Sequence, residues 1–165
     1  MKALKFISAS ILVFCLFAAM LCAQEDMPDI RVKPSSVEIT GIDAKKIKLK
    51  LFAEIAYPQT QRKPLLLASI KSKVYVNKSF VMNANTAKNL EFSKTITSDF
   101  NIALVYDDLL KAAPALKDKE QVCEIKSTFY FIVDKDLGFN TREVVFTKKL
   151  PSYKSVLKSA AKKLF

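Results

Sequence analysis

The sequence predicts an all-β protein, a β-sandwich of about seven strands with one short internal helix and a C-terminal helix. Three observations support this fold class. Short segments in which apolar and polar residues alternate recur between positions 30 and 151. Helical spacing is confined to positions 107–113 and 152–165. Without its N-terminal segment the chain still runs from Gln24 to Phe165, which is long enough for a single hydrophobic core.

The segment from Met1 to Ala23 is set apart from this fold, because it has the pattern of a secretory signal peptide. Positions 1–5 are positively charged, positions 6–23 are apolar apart from two serines, and the chain then turns acidic. Cleavage after Ala23 would start the mature chain at Gln24. The sequence therefore predicts an exported protein, periplasmic or secreted. Its domain would span residues 24–151 and its basic helix residues 152–165.

Two other fates of the N-terminal segment remain open. Cys22 could carry a lipid at a new N-terminus, although a lipobox has a small residue directly before the cysteine and Leu21 stands there. The segment could also stay uncleaved as an anchor, since its apolar part, positions 6–23, lies near the lower limit of the roughly 17–25 residues that span a bilayer. We expect cleavage without a lipid on Cys22.

The mature chain is strongly basic and poor in catalytic side chains. The signal segment holds only Lys2 and Lys5 among its charged residues, so the net charge of +11 falls by two and stays strongly positive. This charge favours anionic neighbours such as lipid headgroups, envelope polymers or cell-surface glycans; good solubility alone is the alternative. The chain has no histidine, which excludes the histidine-containing triads and the commonest zinc ligand. The single cysteine of the mature chain, Cys123, excludes an internal disulfide and is interpreted as a buried small side chain rather than a reactive thiol.

The first two strands are predicted over residues 30–40 and 46–57. Pro34 limits the first strand to an edge or a bend, and Gly41 is expected to form the turn after it. Unbroken alternation gives the second strand one continuous apolar face. Its other face carries lysines at positions 46, 48 and 50, which we interpret as a solvated row; a ligand-binding row is the alternative.

The middle of the chain predicts a hairpin followed by two shorter strands. Residues 65–76 form its first arm, residues 80–82 lie on its second arm, and Asn77 and Lys78 form a two-residue loop, because Asn tolerates a positive φ angle. The alternation after this hairpin predicts strands over residues 90–96 and 100–105.

A short helix and two long strands complete the predicted domain. The helix covers residues 107–113 with Asp107 as its N-cap, and Pro114 is expected to stop or restart it. Residues 122–133 form the most hydrophobic strand, which we expect to be buried on both sides toward its C-terminal end, and residues 142–150 form the last strand. Strand alternation points ten side chains into the core: Leu49, Leu51, Ile55, Val74, Val76, Ile102, Leu104, Phe129, Phe131 and Val145.

The C-terminal segment, positions 152–165, predicts a cationic amphipathic helix. Its apolar stripe consists of Tyr153, Val156, Leu157, Ala160 and Leu164. Its basic side chains are Lys154, Lys158, Lys162 and Lys163. Such a helix either packs on the domain or contacts an anionic membrane surface, and in the second case these four lysines are the candidate contacts.

Four stretches of the chain follow one another in a familiar order. They are a strand with a glycine at residues 37–42, a long strand that ends in Tyr57-Pro58, a hairpin at residues 74–80 and a closing hairpin that ends in Leu150-Pro151. Together they resemble the late embryogenesis abundant (LEA) type 2 family, also called the water-stress and hypersensitive-response (WHy) domain. Tyr57 and Lys78 depart from that family, which has Asn and Gly at these turn positions.

The resemblance implies an immunoglobulin-like or fibronectin III-like sandwich of about seven strands with one helix, and no catalytic residues. The family is associated with dehydration and stress tolerance. We therefore predict an exported, non-enzymatic binding or protective module of the cell envelope. It would have no catalytic, cofactor or metal site, no nucleic-acid partner, and a protein partner that the sequence does not identify. The alternative is a peripheral envelope protein that docks on anionic lipid or an envelope polymer through its basic C-terminal helix.

Overall fold

Seven antiparallel strands form two sheets in the structure, a computed structural model that describes residues 29–57, 64–132 and 139–161. The strands are β1 (Arg31–Ile42), β2 (Lys46–Ala56), β3 (Leu65–Val76), β4 (Ser79–Phe92), β5 (Ile96–Val105), β6 (Gln121–Ile132) and β7 (Phe139–Leu150). Two helices, α1 (Tyr106–Ala112) and α2 (Tyr153–Ala161), and a 3₁₀ turn (Pro114–Lys117) lie within the same residues. This architecture confirms the predicted all-β sandwich.

The two sheets differ in size and in the order of their strands. One sheet has three strands in the order β1-β2-β5, and the other has four in the order β4-β3-β6-β7. All pairs are antiparallel. In the larger sheet β3 and β6 are inner strands, each paired on both sides, so their backbone groups have partners along both edges.

The core lies between the two sheets and is made by the inward side of the strand alternation. Every second residue of β2 from Ile47 to Ile55 is fully buried. Phe100 of the smaller sheet packs edge to face on Phe129 and Phe146 of the larger one, with ring centroids 6.0 and 5.8 Å apart. Nine of the ten predicted core residues are buried: Leu49, Leu51, Ile55, Val74, Val76, Ile102, Leu104, Phe129 and Phe131.

The prediction that the tenth residue, Val145, lies in the core is wrong. Its side chain is 48% exposed, and it pairs with Lys126 on the outer face of the larger sheet. Val144 and Phe146 point inward instead. Because two adjacent valines make both faces of the strand apolar at this point, alternation alone does not fix the register of β7.

Two boundaries also differ from the sequence prediction. Gly41 lies within β1, at a register shift, and the turn is made by the next residues, where the carboxylate of Asp43 accepts hydrogen bonds from the backbone N–H groups of Lys45 (2.8 Å) and Lys46 (2.9 Å). The predicted strand over residues 90–96 is divided, because β4 ends at Phe92 and β5 begins at Ile96.

The start of the helix after β5 and the burial of β6 also differ from the sequence prediction. Helix α1 begins at Tyr106 with Val105 at its N-cap position and no side-chain cap, so Asp107 lies in the first turn. Pro114 starts the 3₁₀ turn, as expected. Strand β6 is fully buried on one face only; Tyr130 and Ile132 on its other face are half-buried.

The predicted β3–β4 hairpin is confirmed. Its loop residues Asn77 and Lys78 have φ angles of 48° and 68°, which is the left-handed pair that a two-residue type I′ turn needs. The turn sets the register next to the loop, and an irregularity between Val74 and Tyr75 then shifts it by one residue, which places Lys73 opposite Asn83.

Candidate anion-binding surfaces

The C-terminal helix packs on the domain with part of its apolar stripe. Ser152 precedes helix α2, and its hydroxyl accepts a hydrogen bond from the N–H of Ser155 (3.3 Å), as an N-cap does. The ring of Tyr153 lies on that of Tyr106, with centroids 4.7 Å apart, and Val156 is buried. Leu157 remains 41% exposed. The side chain of Ala160 and residue Leu164 lie outside the described part of the chain.

Only two of the four candidate lysines of this helix fall within the described residues. Lys154 donates a hydrogen bond to the Asp118 carboxylate beside the 3₁₀ turn (2.9 Å), and this bond lowers the pKa of Asp118 below its ordinary value. Lys158 is exposed in the last turn. Lys162 and Lys163 lie outside the described residues. None of the helices in the described ranges has the length and hydrophobicity needed to cross a bilayer.

A second basic surface lies on the outer face of the larger sheet, where an open groove of about 690 Å³ crosses the strands. We call it the outer groove. Its lysines are Lys71 and Lys73 on β3 and Lys126 on β6. The strand register places Lys73 directly opposite Lys126. Like charges directly opposite on neighbouring strands repel each other, so this sheet keeps an arrangement that costs stability.

Two tyrosines hold lysines of the outer groove in place. The Lys71 ammonium lies 4.8 Å from the centroid of the Tyr130 ring, and the Lys126 ammonium lies 5.4 Å from that of Tyr75. Lys126 also pairs with Glu124 at 3.3 Å. Lys73 has no ion pair or ring contact within the described ranges. The ring contacts restrict two of the lysines, and the third is left to the solvent.

Hydrogen-bonding side chains line the rest of the outer groove, and one of them, Glu143, is an acid. Asn85 of β4 pairs with Lys71, and Asn83 pairs with Lys73, which places two exposed amides beside the two β3 lysines. On the other side Thr128 donates a hydrogen bond to Glu143 (3.4 Å). The groove therefore presents three lysines flanked by amides on one side and by a hydroxyl and a carboxylate on the other.

In the outer lysine row of β2, Lys50 is accompanied by acidic side chains. Lys50 pairs with Asp99 at 2.9 Å, and the hydrogen bond from Lys50 lowers the pKa of Asp99 below its ordinary value. Glu38 of β1 lies opposite Lys50 on the same face. This geometry supports the interpretation of the row as a solvated face.

Cys123 is fully buried on the inner face of β6. Burial raises the pKa of its thiol to about 12, so the thiolate is scarcely populated at neutral pH. This confirms the prediction of a buried small side chain. Among the described residues no group of three metal-ligating side chains comes together.

The sequence analysis did not predict the outer groove, although the alternation within each strand shows which side chains share a face. The spacing Lys71-x-Lys73-x-Tyr75 already places these three side chains on one face. The same holds for Lys126 and Tyr130 on their own strand. What the sequence does not contain is the pairing of β3 with β6, two strands that are distant along the chain and come together only in the fold.

Comparison with solved structures finds proteins of similar fold. The solution structure of a proposed late embryogenesis abundant (LEA) protein matches with a TM-score of 0.58 and 12% identity, over 92% of this chain and 89% of that one. The solution structure of a protein of Arabidopsis thaliana matches with a TM-score of 0.56 and 10% identity, over 78% of this chain and 87% of that one. The crystal structure of a protein from Archaeoglobus fulgidus matches with a TM-score of 0.55 and 9% identity, over 72% of this chain and 97% of that one. At these identities the likeness concerns the fold. No family model and no curated protein sequence matches.

Proposed function

We propose that this chain is an exported, non-enzymatic β-sandwich of the LEA type 2 kind that acts as a binding or protective module of the cell envelope under water stress. The observation that carries the proposal is the fold shared with a proposed LEA protein over 92% of this chain. Two segments on which the family resemblance rests form the Asn77-Lys78 turn and the paired strands β6 and β7, and this supports the proposal. The signal-peptide pattern from Met1 to Ala23 supports export.

The test is protection of a labile enzyme during drying. The chain from Gln24 is mixed with lactate dehydrogenase at equal mass, dried and rehydrated, and the recovered activity is measured. Lysozyme, another small basic protein, serves as the control for charge and mass. We expect higher recovered activity with this protein than with lysozyme. Equal recovery at every ratio would contradict the protective role.

The second candidate function is docking on anionic lipid through the basic C-terminal helix. The specific observation is that Leu157 and Lys158 stay exposed on helix α2 while Tyr153 and Val156 pack inward. An exposed apolar residue beside lysines suits the surface of an anionic leaflet, where each lysine contributes about 1 kcal/mol. Binding of this kind would be reversible and would weaken as salt screens the charges.

Vesicle co-sedimentation at low and high salt tests this candidate. Deleting the helix is a poor variant, because it would uncover the ring of Tyr106. A charge variant with Gln at positions 154, 158, 162 and 163 leaves the apolar contacts in place. Its matched control has Gln at the exposed lysines 33, 45, 48 and 94, which lie away from the helix in the sheet and its loops. Loss of binding in the first variant alone supports docking through the helix; equal loss in both, or no binding of the parent chain at low salt, rejects it.

A further inference from the structure

We propose that the outer groove binds an anionic polysaccharide, a hydroxyl-rich chain that carries carboxylates. The first support is charge. Lys73 and Lys126 lie directly opposite each other, and Lys71 is the next outward residue on β3. An anion between these ammonium groups would remove the repulsion that the bare sheet carries. Glu124 offsets part of the charge of Lys126 and leaves Lys73 uncompensated.

The second support is the set of polar side chains that lie beside the lysines. Asn83 and Asn85 stand in register with Lys73 and Lys71 on the exposed edge strand β4, and they offer both donors and acceptors. Thr141 of β7 lines the opposite side. The lysines and amides match the carboxylates and hydroxyl groups of an acidic sugar chain, and the Glu143 carboxylate, which also lines the groove, is an acceptor for its hydroxyl groups. A ligand with charge alone would leave the amides without a role.

The geometry argues against three other anionic ligands. A peptide cannot add as a strand on this face, since the backbone groups of β3 and β6 are already paired within the sheet. Nucleobases need free ring faces on which to stack, whereas Lys71 and Lys126 lie over the faces of Tyr130 and Tyr75. A lipid surface is flat and would not enter a recessed groove.

This proposal specifies a ligand class for the proposed binding role. It rests on that proposed function, because the protein meets an envelope polymer only if it is exported. Binding is measured on the purified chain from Gln24, so its outcome does not depend on where the protein is located or on whether it protects enzymes from drying. A negative result for polysaccharide binding can therefore be distinguished from a negative result for export or for protection during drying.

The experiment is titration with polygalacturonate by calorimetry, with dextran as the neutral polymer. The variant Lys73→Gln/Lys126→Gln removes the facing charges. Its matched control, Lys33→Gln/Lys48→Gln, removes the same charge from exposed positions on the outer face of the smaller sheet. We expect the groove variant to weaken binding by about tenfold or more and the control to change it little. A second variant, Asn83→Ala/Asn85→Ala, should also weaken binding, which a purely electrostatic contact would not show.

Each of the following results would overturn the proposal. The parent protein binds polygalacturonate no better than dextran at low salt. The two lysine variants lose affinity equally, which means that charge acts without a site. Polyglutamate, oligothymidylate or phosphatidylglycerol vesicles bind as tightly as polygalacturonate and lose that binding in the groove variant, which would assign the groove to a peptide, a nucleic acid or a lipid surface.

Discussion

Tyr106 brings a polar atom into the core at the start of helix α1. The residue is 1% exposed, and its hydroxyl has no hydrogen-bond partner among the described residues. Burial is the main reason that its pKa rises to about 12. Its ring packs on Tyr153, so the contribution of Tyr106 to stability comes from its ring.

We predict that Tyr106→Phe leaves the free energy of unfolding unchanged or raises it by about 1 kcal/mol, because it removes a buried hydroxyl without opening a cavity. Tyr106→Ala should lower it by roughly 3–5 kcal/mol, as for other large aromatic truncations. Urea denaturation of both variants at pH 7 measures the difference. A Tyr106→Phe variant that is clearly less stable than the parent would mean that the hydroxyl is bonded in solution.

Asp43 is the residue whose charge should give stability a dependence on pH. Its carboxylate accepts hydrogen bonds from the N–H groups of Lys45 and Lys46, and the bond from Lys45 is the main reason that its pKa lies below the ordinary value. A carboxyl group with a lowered pKa stabilises the fold above its unfolded-state pKa of about 4, and this contribution disappears as the pH falls through the folded-state pKa.

We therefore predict that Asp43→Asn lowers the urea midpoint at pH 7 and that the gap to the parent narrows as the pH falls below about 4. Midpoints measured from pH 7 to pH 3 test this, with Glu91→Gln, an exposed carboxylate at the end of β4, as the control for the loss of one negative charge. A gap that stays constant across this range would show that the turn does not depend on the charge of Asp43.

At the scale of the element, the sequence is sufficient where one face of a strand is clearly apolar. Strands β2 and β3 were predicted with their faces and nearly with their ends, and so was the Asn77-Lys78 loop. The length of β4, which runs unbroken from Ser79 to Phe92, was not predicted. The boundary between β4 and β5 was missed, because Ser93, Lys94 and Thr95 contain neither Gly nor Pro and the alternation continues through them. The register of β7 was missed at its paired valines, where both faces look apolar.

The corrected register of β7 predicts a contrast between neighbours. Val145→Ala should change the free energy of unfolding by less than about 0.5 kcal/mol, since its side chain is 48% exposed. Val144→Ala should cost about 1–3 kcal/mol, because the buried position loses two methyl groups. Leu51→Ala, at the centre of β2, should cost roughly 2–5 kcal/mol and serves as the positive control. Equal costs at positions 144 and 145 would disprove this register.

At the scale of the whole molecule, the fold class could be predicted and the candidate groove could not. Alternation and segment order are local properties, and they are enough to indicate a seven-stranded sandwich. The groove depends on a contact between strands that are distant in the sequence, where Lys73 meets Lys126. The C-terminal helix lies between these cases: its amphipathic pattern was evident, but the packing of Tyr153 on Tyr106 required the folded domain.

Export is the claim on which the proposed envelope role depends most. It follows from the segment between Met1 and Ala23, whose charge and hydrophobicity predict a signal peptide that is cleaved after Ala23. A protein that stays in the cytoplasm would meet neither an envelope polymer nor the outer leaflet of a membrane.

The most direct measurement is the intact mass of the protein recovered from separated cytoplasmic, membrane and extracytoplasmic fractions of the cells that produce it. We predict a chain that begins at Gln24, carries no lipid and is found in the extracytoplasmic fraction. A full-length chain that begins at Met1 and stays in the cytoplasm would contradict the account, and a diacylglyceryl group on Cys22 would replace the free module with a lipid-anchored one.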